Sequence, residues 1–164
     1  MYYYFDDKQD LYITVLSDAI ENFLEAMDPP SEFAGPEDFW AKMRTMYASG
    51  LRFLVDHPRA AALARSFVSA PRGAETLPQV DELNTKAHKW MKGLVQVGQS
   101  LGAIRTDVDA EVIAMAAFSL GESMNNFAID QLPNLNIGDE VALQAWVERT
   151  AEVLLDMIAR LARP

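Results

Sequence analysis

The sequence predicts an all-α protein, and three observations predict it. Wherever a period is visible, apolar residues recur at three- and four-residue spacing. No alternating run rich in Val, Ile and Thr is bounded by an Asn-Gly or Asp-Gly turn. Helix stops at Asp28-Pro29-Pro30, His57-Pro58, Gly102 and Pro133 divide the chain into helix-length pieces.

Each element has a local cause. The first helix starts after Asp7, whose carboxylate can cap free N–H groups, and places Leu11, Val15, Ala19, Phe23 and Met27 on its buried stripe. The second begins at Pro36, where a missing N–H costs nothing, with Glu37 and Asp38 favoured by the helix dipole. Its apolar face is Phe39, Trp40, Met43, Met46, Tyr47, Gly50, Leu51 and Leu54. His57 precedes a proline and is pushed out of the α region, so Pro58 opens a short third helix ending near Ser69. Residues 70–76 read as loop. A fourth helix spans 78–101, with Gly102 closing it and Val80, Leu83, Ala87, Trp90, Leu94, Val97 and Leu101 facing inward. Two more helices, 110–132 and 139–161, flank a Pro/Asn/Gly break.

Composition bounds the function. A chain of 164 residues, 50% hydrophobic, forms one domain with a sizeable core. Zero cysteines remove disulfides and thiolate chemistry and fit a reducing, cytoplasmic setting. A net charge of −10 opposes the field that a phosphate-binding surface needs, and residues 1–50 carry most of it. The chain starts without a signal-peptide pattern, and its most apolar stretch, 112–121, is too short for a bilayer, so no membrane partner is expected. His57 and His88 have no i, i+4 companion, which argues against a metal and leaves His57 as a cap or turn residue. No Gly-x-Ser-x-Gly or phosphate-cradling glycine loop occurs, so an enzyme is not expected and no cofactor is implied. Lys86, Lys89 and Lys92 read as a solvated face.

The fifth helix is the most informative. Between Val112 and Ile129 only Glu122 is charged, so the helix should be covered on nearly every side. One stripe is small (Ala110, Ala114, Ala117, Gly121, Ala128) and admits a close helix; Val112, Ala116, Leu120 and Phe127 make an ordinary core side. The third stripe sets Ser119, Glu122 and Asn126 among Met115, Phe118 and Ile129, the composition of a small-molecule site. Equally, Glu122 can pair with a cation of another helix and Asn126 can bridge backbone. Trp40, Met43, Tyr47 and Trp90 offer soft and flat surfaces to a ligand, or plain core.

The opening run Tyr2-Tyr3-Tyr4-Phe5-Asp6-Asp7-Lys8-Gln9-Asp10-Leu11 resembles the junction after the recognition helix in TetR-type transcriptional regulators, with Tyr2, Tyr4, Phe5, Lys8 and Leu11 at the matching positions. Leu101-Gly102-Ala103-Ile104-Arg105-Thr106-Asp107-Val108-Asp109 is similar to the turn before the family's penultimate helix, and His57-Pro58 recurs there. The resemblance implies residues 1–7 as a remnant of the recognition helix and junction, with Tyr4 and Lys8 the surviving DNA-contact candidates, and residues 8–164 as a ligand-binding and dimerisation domain of six helices. Most of the helix-turn-helix would lie ahead of this chain, so DNA would be held only through it.

The resemblance further implies a homodimer through a four-helix bundle of the last two helices, with Ala114, Ala117, Gly121, Ala128, Val147, Leu154 and Ile158 at the seam. It implies a pocket of Trp40, Met43, Tyr47, Trp90, Met115, Phe118, Glu122 and Asn126 for a small apolar, aromatic or cationic ligand that relieves repression. A stand-alone helical binding or hetero-dimerising module remains the alternative, and an enzyme on a helical scaffold a remote one.

Overall fold

Helix boundaries follow the chemistry of their end residues. The computed structural model describes residues 8–68, 78–136 and 138–164. They form α1 (Lys8–Met27), α2 (Pro36–Asp56), α3 (Pro58–Val68), α4 (Pro78–Ser100), α5 (Ala110–Gln131) and α6 (Glu140–Ala162), with a 3-10 turn at Leu132–Asn134. Asp28 takes a left-handed φ of 46° at the end of α1, just before the two prolines. In the first turn of α2, Asp38 folds back to accept the Ala34 N–H at 2.8 Å and pairs with Lys42 at 2.9 Å. Asp109 and Asp139 cap α5 and α6, accepting from Glu111 N–H at 2.7 Å and Ala142 N–H at 3.0 Å. Gly102, at φ 72°, turns the chain so that the Ala103 and Ile104 N–H groups both reach the Gly98 carbonyl.

α2 is the central helix, packing on α1, α3, α5 and α6. All eight residues of its predicted apolar face are buried, together with Val55. Opposite, α6 contributes Leu143, Val147, Ala151, Leu154, Leu155, Ala159 and Ala162. Burying one Leu such as Leu154, 1% exposed, stabilises by about 2–3 kcal/mol. One corner ties the layers: Arg105 N–H donates to the Ala162 carbonyl at 2.7 Å, and the Trp40 indole N–H donates to the Ala103 carbonyl at 3.3 Å.

Three expectations about faces are corrected. In α1, Leu11 and Val15 are exposed and Leu16 is buried instead, while Phe23 and Met27 of the expected stripe do pack into the core; α1 lies mainly against α2 and α3. In α4, Val97 is exposed and the deeply buried positions are Val95 and Gly98. In α5 the supposed core side is the open one, with Val112 57% and Phe127 50% exposed and Ala116 beside them. The small stripe faces inward instead, because alanines let α5 sit close to its neighbours in the same chain. The Asp7 cap, the side chains of Val80 and Leu83, and the loop at 70–76 fall outside the described residues.

Candidate functional site

Of the eight residues expected to line a pocket, Trp90 alone lines either of the two clefts that flank the bundle. Trp40 and Met43 are sealed in the core between α2 and its neighbours. The Trp40 indole N–H is committed to Ala103, and the Arg163 guanidinium stands 5.5 Å from the ring centroid. Met115 is 55% exposed, on the outer stripe of α5, and so cannot line an interior site.

Tyr47, Phe118, Glu122 and Asn126 are all partly or wholly buried on α2 and α5. Tyr47 donates its hydroxyl hydrogen to Asn125 Oδ1 at 2.8 Å, joining α2 to α5. Burial pushes its phenol above the ordinary range, so the group stays protonated and acts as a donor. On the α4 side, the His88 ring lies 4.3 Å from the Phe118 ring. Glu122 has an interaction partner within the chain. Among the described residues no buried side-chain nitrogen or oxygen lacks a hydrogen bond. Where α5 meets α2 and α4, the Tyr47–Asn125 hydrogen bond and the His88–Phe118 ring contact mark an α2/α4/α5 seam, and a ligand entering beside Tyr47 must exchange hydrogen bonds with Tyr47 and Asn125.

Asn125 is the residue that sequence reading missed. Asn125 and Asn126 are adjacent and differ by 100° around the helix, and only the position of Tyr47 on α2 selects between them. His88 was likewise set aside as isolated; its ring partner Phe118 lies 30 residues further along the chain.

Two open clefts flank the bundle. One, of about 490 Å³, lies between the α1–α2 loop and α4 and is lined by Pro30, Phe33, Trp90, Gly93, Leu94 and Val97. Trp90 thus faces a surface groove rather than the Tyr47 cluster. The other, of about 630 Å³, runs between α1, the end of α2 and α3. Both volumes are within the range of small-molecule sites.

The residues expected at a dimer seam divide similarly. Ala114, Ala117, Ala128, Val147 and Leu154 are buried inside the chain and leave almost no surface for a second copy. Ile158 is half-buried against the same core, and Gly121 is half-buried with no atom within 4 Å of where a Cβ would stand. What α5 does present outward is one face carrying Val112, Met115, Ala116, Ser119, Ser123 and Phe127. Tyr4 lies outside the described residues, as does the side chain of Lys8, which opens α1.

Solved structures share this arrangement. A TetR family transcriptional regulator from Chloroflexus aurantiacus J-10-FL superposes with a TM-score of 0.71 at 23% identity, covering 98% of this chain and 76% of that one. A protein with unknown function from Rhodococcus sp. RHA1 gives a TM-score of 0.67 at 18% identity, again covering 98% and 76%. No protein-family model matches the chain, and the curated proteins give no match. The fold is thus an all-α bundle of the kind seen in a TetR family regulator, and among the described residues no helix is long and apolar enough to cross a membrane.

Proposed function

We propose that the chain is the ligand-sensing and dimerisation domain of a TetR-type transcriptional repressor. The observation that carries the reading is the likeness of fold to a transcriptional regulator over nearly the whole chain. The junction-like residues 2–11 add to it. In this reading a small molecule enters the α2/α4/α5 seam, competes for the Tyr47–Asn125 hydrogen bond and shifts α5 against α2. Because α2 also packs on α1, the displacement reaches the helix nearest the junction. Ligand then relieves repression through its different affinity for the two arrangements.

The homodimer seam belongs, in the same reading, to the outer line of α5 rather than to the buried alanines. Exposed large apolar residues gathered on one helix face, here Val112, Met115 and Phe127, are a common mark of an interaction face. The test is a thermal-shift screen of the 164-residue chain against a broad compound set, repeated on Tyr47→Phe and Asn125→Ala. Compounds that stabilise the parent and lose their effect in both variants support the reading. Shifts unchanged in both variants overturn the placement of the site.

A further inference from the structure

The cleft of about 630 Å³ between α1, α2 and α3 lies on a different side of α2 from the Tyr47–Asn125 pair, since Phe53 falls about 240° round the helix from Tyr47. Its existence is a matter of side-chain size. Ala19 and Ala26 on α1 and Ala60 on α3 are truncated where larger residues would close the gap. Val15 and Leu63 complete the apolar walls, and Val15 is exposed there. At one end, the Phe53 ring stacks on His57 at 4.3 Å with 21° between planes, forming a flat aromatic shelf.

The polar rim is uneven in charge. Asp18, Asn22 and Glu25 follow one another at spacings of four and three along α1, so the two carboxylates stand about 10 Å apart on one wall. Neither has an ion-pair partner among the described residues. His57 Nδ1 is 3.0 Å from the Phe53 carbonyl, which holds the ring in place over Phe53. Set against the two carboxylates, among the described residues of the lining, is Arg59 in the first turn of α3.

We propose that this cleft is a binding site for a bulky organic cation, whose apolar body lies on the alanine floor and aromatic shelf while its charge faces Asp18 and Glu25. The charge pattern selects the sign of the ligand, and the shelf supplies a face that attracts cations. The site is separate from the α2/α4/α5 seam and does not depend on the function proposed for it.

The probes are tetraphenylphosphonium and tetraphenylborate, near-identical in shape and opposite in charge, titrated calorimetrically into the 164-residue chain. The cation is expected to bind and the anion to bind at least tenfold more weakly. Asp18→Asn with Glu25→Gln should weaken the cation by about tenfold, and Arg59→Gln should strengthen it. Ala19→Leu, which fills the floor, should abolish binding; a helical circular dichroism spectrum equal to the parent's accompanies each variant. Equal affinity for both ions, or cation binding unmoved by the carboxylate pair, overturns the proposal. So does binding lost in Tyr47→Phe and kept in Ala19→Leu, which would place the cation in the seam.

Discussion

The Tyr47 hydroxyl donates to Asn125 Oδ1 at 2.8 Å, a side-chain bond between helices 78 residues apart in sequence. Removing either partner alone leaves a partly buried polar group unsatisfied. Tyr47→Phe and Asn125→Ala should each cost about 1 kcal/mol in urea unfolding, and the double variant should cost less than their sum. Strict additivity would show that the pair does not couple α2 to α5.

Glycine substitutions should separate packed from open positions. A Cβ at Gly98 would stand 2.6 Å from Ile104 Cδ1 and 3.0 Å from Phe39 Cζ, so Gly98→Ala should destabilise by about 1–3 kcal/mol. A Cβ at Gly93, also within α4, meets nothing within 4 Å, and Gly93→Ala should stabilise by up to about 1 kcal/mol. Thermal melts of the two variants check the contrast; shifts of the same sign would contradict the close approach at Gly98.

The outer stripe of α5 can be tested as a seam. Val112 and Phe127 bury little in a single chain, so Val112→Lys and Phe127→Lys should leave helical content unchanged. If two copies meet there, light scattering at micromolar concentration should show the parent as a dimer and the double variant as a monomer. A parent already monomeric removes the dimer from the proposed function.

Acid should loosen the fold through a definable group. The Ala34 N–H first, and then Lys42, hold the Asp38 carboxyl below its ordinary value of 3.8. A carboxyl depressed in the folded state contributes stability above its unfolded value, and that contribution fades as pH falls through the lower folded value. Asp107 beside Arg105 and Glu82 beside Lys86 act in the same direction. The melting temperature should therefore fall steadily below about pH 4, and Asp38→Asn should flatten part of that slope. An unchanged acid limb in the variant would remove Asp38 from the account.

The helices themselves were readable because their ends carry strong local signals. Pro36, Asp109, Asp139 and Gly102 act within one turn, and each stands where a proline, a carboxylate cap or a left-handed glycine has to stand. The buried face of α2 was equally plain, since helices on several sides cover it and every apolar residue on it is used. Faces failed where burial depends on which neighbour arrives. α5 is apolar nearly all round, so its sequence cannot say which stripe meets its own chain. The small stripe and the large one exchanged roles for that reason. The candidate site suffered more: Tyr47 was singled out from its residue type, but its partner is fixed only by the packing of α2 on α5.

The central position of α2 also sets a timetable. One of its main packing partners, α6, begins at Glu140, roughly 80 residues after α2 ends. At about 5–20 residues per second, a ribosome takes several seconds to supply that interval, and longer to complete α6. For that time Trp40, Met43, Met46 and Leu51 lack the helix that helps to shield them. A nascent chain stalled before residue 140 should therefore be a client for chaperones that bind exposed apolar helices, and a chain released at its full length should not.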